Sequence, residues 1–145
     1  MRKVLIAAVG LFASAALFAD TPSREDKAAF EKVCGACHTS GMVSDIRSEP
    51  EWVDTVAEMV KIGAKGTDEE LERVMRYLRQ TLTKVNVNTA TAAEMAPVLD
   101  ITVSAAQALV KRRTEKGNFK TLEELKQVPG VDAAKLEARR NRVFF

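Results

Sequence analysis

The sequence is poor in the side chains on which most catalytic and metal centres depend. Its 145 residues include one histidine, two cysteines, one tryptophan and one tyrosine. A single histidine excludes a pair of histidine ligands within one chain, and no spare histidine, free cysteine or convincing carboxylate pair remains for acid, base or nucleophilic catalysis. We therefore expect a protein that is not an enzyme.

The chain also lacks a strong excess of charge, since its formal net charge is +2. Residues 20–84 contain 10 Lys and Arg against 13 Asp and Glu, whereas residues 85–145 contain 10 against 7. Neither segment is basic enough to indicate nucleic-acid binding by charge alone. The opposite balances, −3 and +3, predict two domains with different tasks.

The N-terminus has the pattern of a secretory signal peptide. Arg2 and Lys3 precede an apolar or small run over residues 4–19, and Asp20 follows. This run is shorter than the roughly 20 residues of a spanning helix, so cleavage after Ala19 is favoured over retention as an anchor. We predict a signal peptide over 1–19 and a periplasmic protein without membrane attachment after cleavage.

The rest of the chain has the pattern of an all-α fold. Capping boxes, in which Ser or Thr is followed three residues later by Glu, occur at Ser48/Glu51, Thr67/Glu70, Thr91/Glu94 and Thr121/Glu124. The predicted helices are 23–35, 50–63, 68–83, 92–99, 103–116, 121–127 and 132–141. Residues 83–89 break the helical period, which predicts domains over 20–84 and 85–145.

The two cysteines and the histidine form one motif. Cys34, Cys37 and His38 make a C-x-x-C-H sequence, which is typical of covalent haem attachment. Two thiols on one turn reach the haem vinyl groups, and the adjacent imidazole reaches the iron. A local disulfide is the alternative; a thioredoxin-like site requires a βαβ context that the sequence does not show. We predict one haem c, with Cys34 and Cys37 as thioethers and His38 as the proximal iron ligand.

Because the chain has no second histidine, the sixth iron ligand is a methionine, a weaker group or a group from another chain, or it is absent. Met42 is only four residues past His38, and Met95 belongs to the second domain. Met75 lies within an apolar stripe, where methionine usually serves packing. Met59, 21 residues beyond His38, is therefore the predicted distal ligand.

A group of residues in the first domain carries a family resemblance. They are VCGACH, Arg47, Glu51-Trp52, Val56, Met59, Gly63-Ala64, Thr67–Glu70 and Tyr77-Leu78. Residues 26–83 resemble the small class I cytochrome c subunits and domains found with periplasmic sulfite dehydrogenases and quinohaemoprotein amine dehydrogenases. The resemblance implies a cytochrome c fold with Met59 as axial ligand. It also implies that Phe30 packs on Tyr77, and that Arg47 and Trp52 lie near the haem propionates.

A second group of residues carries another resemblance. They are Val85–Ala90, Glu94-Met95, Ala106–Val110, Arg113, Gly117–Phe119, Leu122–Leu125 and Val128–Val131. Residues 85–145 resemble the ComEA-type helix-hairpin-helix domain. That family packs two helix-hairpin-helix units into a compact five-helix domain that usually binds DNA. The same fold serves in protein docking, as in the small extrinsic subunit of photosystem II.

The hairpin turns depart from that family where phosphate would bind. The expected Pro-Gly-Ile-Gly reads Leu99–Thr102, with Asp100 in place of the first glycine, and Asp132 replaces the later glycine of the second turn. A carboxylate at a helix N-terminus satisfies its amides and repels phosphate. The basic residues of this half form either solvated helix faces or a weak, salt-dependent DNA surface. They are Lys111, Arg112, Arg113, Lys116, Lys120, Arg139, Arg140 and Arg142.

The expected function follows from both halves. We predict a periplasmic c-type cytochrome that carries single electrons, with the second domain docking a redox partner such as a dehydrogenase or an oxidase. The alternative is a DNA-binding, competence-like helix-hairpin-helix protein that carries an accessory haem.

Overall fold

A computed structural model describes residues 22–145, so the predicted signal peptide lies outside the described residues. Their elements in chain order are α1 Arg24–Cys34, α2 Glu49–Lys61, α3 Asp68–Thr81, β1 Val85–Asn86, α4 Ala92–Leu99, α5 Val103–Lys116, α6 Leu122–Lys126, α7 Ala133–Ala138 and β2 Val143–Phe144. The seven predicted helices are confirmed to within three residues at each end. The fold is mostly helical, and over 22–145 no helix has both the length and the apolar character required to cross a bilayer.

Side-chain caps fix the starts of most helices. The predicted capping boxes of Ser48, Thr67 and Thr91 are present, with the Glu three residues later accepting from the cap amide. At α6 the prediction is only half right: Thr121 accepts from the Glu124 amide, but the Glu124 carboxylate accepts from the Lys120 amide instead. These caps satisfy amides that would otherwise lack partners at each helix N-terminus.

The sequence pattern missed the short elements. A 3₁₀ turn over Ser40–Met42 follows the cysteine motif, and another over Arg140–Arg142 precedes β2. β1 pairs with β2 in parallel, with Val85 opposite Val143. Two-residue strands are too short to show the alternation by which strands are recognised in a sequence. This pairing nevertheless places residues 143–144 beside residues 85–86, which lie near the middle of the sequence.

The N-terminal half, residues 22–84, has a small core. Its buried side chains are Ala29, Phe30, Val33, Trp52, Val74 and Leu78. α1 packs along α3, and the Phe30 ring stacks on the Tyr77 ring with centroids 4.5 Å apart. Asp26, buried at the start of α1, accepts from the guanidinium of Arg76 at 3.1 Å. The predicted packing of Phe30 on Tyr77 is therefore confirmed, at the point where α1 and α3 cross.

The C-terminal half, residues 85–145, has a larger core. Fourteen buried apolar residues form one cluster that extends from Val85 to Leu136, with Phe119, Leu99, Leu109 and Leu125 among its largest members. Each of its helices contributes to this cluster. This half buries enough apolar surface to have a core of its own.

Residue Arg142 connects the two halves. Its guanidinium is buried and donates to the carbonyl of Gln80, at 2.6 Å, and to that of Val98, at 3.0 Å. Gln80 lies in the last turn of α3 and Val98 in the last turn of α4. One side chain therefore satisfies carbonyl groups at the ends of two helices from different halves.

The capping interactions predict a measurable stability difference. Replacing Thr91 by Ala removes the acceptor for the Glu94 amide, at 3.3 Å, and one side of a capping box. We expect a loss of about 1 kcal/mol in the free energy of unfolding, measured by urea denaturation. Thr114→Ala is the matched control, since Thr114 is exposed within α5, where Ala has the better helix propensity. Equal destabilisation by the two changes would contradict the prediction.

Candidate functional site

A cavity of about 450 Å³ lies between α1, α2 and α3. Most of its wall is apolar, and a cavity of this size is within the range of small-molecule and cofactor sites. The lining includes Cys34, Cys37, His38 and Met59, together with Arg47 and Trp52. Every residue that the sequence predicts for the haem site therefore lies on one cavity.

The two cysteines and the histidine reach the cavity because α1 ends at Cys34. The helix C-cap is Gly35, where a Cβ would approach the Glu31 carbonyl oxygen to 2.2 Å, so this tight turn requires glycine. Cys37 is exposed, whereas Cys34 is half-buried and its burial raises the pKa of its thiol. His38 Nδ1 lies 3.4 Å from the Thr39 carbonyl oxygen, which is long for a hydrogen bond.

The structure separates the four methionine candidates. Met59, half-buried in α2, and Met42, 72% exposed after the cysteine motif, both line the cavity. Met75 instead packs against the small core, and Met95 is fully buried in the core of the C-terminal half. Met42 and Met59 are thus the two candidates that line the cavity, and Met59 is the less exposed of them.

Arg47 and Trp52 both line the cavity, but they differ in whether all of their side-chain nitrogens have hydrogen-bond partners. The Trp52 indole N–H donates to the Leu82 carbonyl at 2.9 Å, so it is already satisfied away from any ligand. Arg47 donates from Nη2 to Asp45 at 3.0 Å, while its buried Nε has no hydrogen-bond partner. Arg47 therefore keeps an unsatisfied buried nitrogen, whereas the Trp52 N–H is already bonded.

Sequence reasoning missed part of the cavity wall. Leu71, Val74 and Leu78 line it from α3, although their spacing predicts only a packing face. An apolar stripe does not distinguish contact with another helix from contact with a bound apolar group. Over 22–145 no group of three or more His, Cys, Asp or Glu side chains is placed to hold a metal ion. Haem iron needs only axial ligands from the protein.

The first hairpin turn, between α4 and α5, reverses the chain without a glycine. Asp100 takes the left-handed conformation, with φ of 53°, which Asp tolerates better than most residues. Its carboxylate lies 3.4 Å from Nζ of Lys135 in an ion pair. The expectation that this carboxylate satisfies helix amides is therefore wrong here: Thr102 caps α5 by accepting from the Ala105 amide.

The second hairpin turn, between α6 and α7, follows the expectation. Gly130 has a φ of 85°, which the sharp reversal requires. The Asp132 carboxylate accepts from the amides of Ala134 and Lys135 at 2.9 and 3.1 Å. The amides that would hold a phosphate are occupied by a side chain of the same chain.

Several of the eight basic residues have structural partners. Arg112 donates to the Gly117 carbonyl and lies over the Phe119 ring, with 4.4 Å to the ring centroid. Arg113 donates to the Val87 carbonyl at 2.7 Å. Arg142 is buried, Arg139 reaches the Gln80 carbonyl, and Lys111 and Arg140 pair with nearby glutamates. Lys116 and Lys120 are the exposed cations of this set without a side-chain ion pair among the described residues.

Comparison with known proteins identifies relatives of the C-terminal half. A family model described as the helix-hairpin-helix motif matches residues 80–144, which begins beyond the cysteine motif. An uncharacterized protein of Haemophilus influenzae is 43% identical over 43% of this chain and 56% of its own length. Endonuclease/exonuclease/phosphatase family domain-containing protein 1 of Bos taurus is 39% identical over 42% of this chain and 11% of its own.

A third relative, the uncharacterized protein YdcI of Bacillus subtilis, is 34% identical over 58% of this chain and 14% of its own length. The chain thus spans just over half of the first relative and a small fraction of the other two. No solved structure matches the chain. None of these three relatives is named as a haem protein. The family match, together with the packed hairpins described above, shows that residues 80–144 contain a helix-hairpin-helix domain.

Proposed function

We propose that the N-terminal half holds one covalent haem c and carries single electrons in the periplasm. The observation that carries this proposal is the convergence of Cys34, Cys37, His38 and Met59 on one apolar cavity. These are the donor groups that c-type haem uses: two thiols, an imidazole and a thioether. When bound, the haem supplies a one-electron iron couple.

The residues of the chain have separate tasks in this proposal. Cys34 and Cys37 would hold the group through thioether bonds, and His38 and Met59 would supply its iron ligands. The largely apolar wall would surround the group, and Arg47, whose side chain is 40% exposed, would place a positive charge beside it. Methionine ligation raises the reduction potential relative to a pair of histidines.

The C-terminal domain has two candidate roles. The sequence favours docking to a redox partner, such as a periplasmic dehydrogenase or oxidase. Two observations weigh against phosphate binding and so favour that role: Asp132 occupies the amides of one hairpin turn, and most of the basic side chains have structural partners.

DNA binding is the second candidate, and the comparisons support it more directly than docking. The family model covers all of this domain except its last residue, and helix-hairpin-helix domains commonly bind DNA through backbone amides at helix N-termini. In that case the haem would be an accessory group. The exposed Lys116 and Lys120 would contribute the remaining electrostatic attraction to phosphate.

The methionine assignment predicts a spectroscopic difference. Met59→Ala is expected to abolish the weak methionine–iron charge-transfer absorbance of the oxidised protein, because the thioether ligand is lost. Met42→Ala is the matched control, since Met42 lines the same cavity but is mostly exposed. Loss of the band in Met42→Ala and its retention in Met59→Ala would show that the distal ligand is the other methionine.

Haem loading predicts a difference in folding between the halves. In the double variant Cys34→Ser, Cys37→Ser, which cannot attach haem, the cavity wall loses the contacts that the group would provide. We expect the amides of Val74 and Leu78 to lose most of their protection from hydrogen exchange, while those of Leu99 and Leu109 keep theirs. Unchanged protection at Val74 and Leu78, without haem, would count against a haem-filled core.

The DNA alternative predicts a salt-dependent interaction. If the domain binds DNA, the double variant Lys116→Glu, Lys120→Glu should weaken binding and reduce the slope of log affinity against log salt by about 2, one for each phosphate contact. Lys65→Glu is the control, since Lys65 is exposed in the other half. Fluorescence anisotropy with duplex DNA measures both quantities. No binding by the wild-type protein at low salt would leave docking as the role of this domain.

A further inference from the structure

Hydrogen bonds connect the cavity wall to the linker between the halves. The Leu82 carbonyl accepts from the Trp52 indole at 2.9 Å and from the Arg47 amide at 3.0 Å. The Arg47 carbonyl in turn accepts from the Lys84 amide at 2.8 Å. Arg47 and Trp52, which line the cavity, are therefore held by the chain segment 82–84.

The same linker is held from its other side by the C-terminal end of the chain. β1 follows directly after Lys84 and pairs with β2, and the Val87 amide donates to the Phe144 carbonyl at 3.1 Å. Arg142, only 2% exposed, fixes the carbonyl of Gln80 just before the linker. The position of the linker thus depends on residues near position 142.

The hydrogen bonds of the linker lead to Arg47, whose guanidinium carries a positive charge at the cavity wall. It lies 5.4 Å from the centroid of the Trp52 ring, and one of its buried nitrogens has no partner. Its ion-pair partner, Asp45, is itself exposed, so solvent screens much of that pair. The Arg47 side chain is itself 40% exposed, so water screens its charge only in part, and it acts more strongly on a nearby charge than a fully hydrated cation would.

We propose that the helix-hairpin-helix domain is a positioning element for the cavity, and that through Arg142 and the linker it sets the reduction potential of the haem. This inference rests on the proposed haem function. Reduction lowers the positive charge on iron, so a fixed Arg47 cation stabilises the reduced form. Loosening the linker lets Arg47 move toward solvent and lowers the potential.

Arg142→Leu tests this role, because position 142 is remote from the cavity in the sequence and its side chain does not line it. In the haem-loaded full chain we expect a shift toward the oxidised form of up to tenfold, which is about 59 mV for one electron. Hydrogen exchange at the Arg47 and Lys84 amides should become faster. The control Arg140→Leu changes an exposed arginine of the same 3₁₀ turn and should alter neither quantity.

Further variants keep the test decisive. Arg142→Lys retains the charge and a donor, and should restore part of the potential. If Arg142→Leu does not fold, a chain that ends at Arg142 lacks β2 and should shift the potential in the same direction. An unchanged potential in either folded variant would overturn the proposal. Absence of covalent haem from the wild-type protein would instead overturn the haem function, and amide exchange would still show whether Arg142 holds the linker.

Discussion

The buried guanidinium of Arg142 is the contact on which the arrangement of the two halves depends. A cation is costly to bury unless hydrogen bonds compensate it, and burial, with Arg139 nearby, lowers the pKa of Arg142 to about 10. It still carries its charge at neutral pH. Its partners are carbonyls in the last turns of α3 and α4, where both helix dipoles favour positive charge. The same side chain therefore neutralises two helix ends and orients them relative to each other.

The two halves differ in how far their own side chains fill their interiors. The C-terminal half has a continuous cluster of fourteen buried apolar residues, whereas the N-terminal half has six and a cavity of about 450 Å³ beside them. Wall residues such as Val56 and Leu71 are only partly buried, so a bound apolar group would add contacts there, and such contacts contribute much of the stability of a small domain. A bound apolar group would complete this half as a core component as well as a cofactor.

The sequence predicts those features that depend on residues close together in the chain. The helices were found because caps and apolar periodicity act within four residues, as at Thr67 and Thr91. The sequence does not predict partners that are distant in the chain. Arg142 bonds to a carbonyl 62 residues away, and Arg113 to one 26 residues away. Both were expected at the surface, as solvated helix faces or as a weak DNA-binding surface, and for the buried Arg142 that expectation is wrong. The α3 side of the cavity wall was missed for the same reason, since Leu71, Val74 and Leu78 are distant in the chain from the cysteine motif.

The hairpin turns separate two properties that glycine usually supplies together. One is the left-handed backbone conformation, which Asp100 adopts without glycine; the other is open access to helix amides, which Asp132 closes by accepting from two of them. The fold needs the first property, because the turn must reverse the chain, but only phosphate binding needs the second. A match to the helix-hairpin-helix family is thus evidence for the fold of residues 80–144, whereas the ligand depends on the atoms at the turns. The paired Asp100 and Lys135 show how such a turn can be neutralised within the chain.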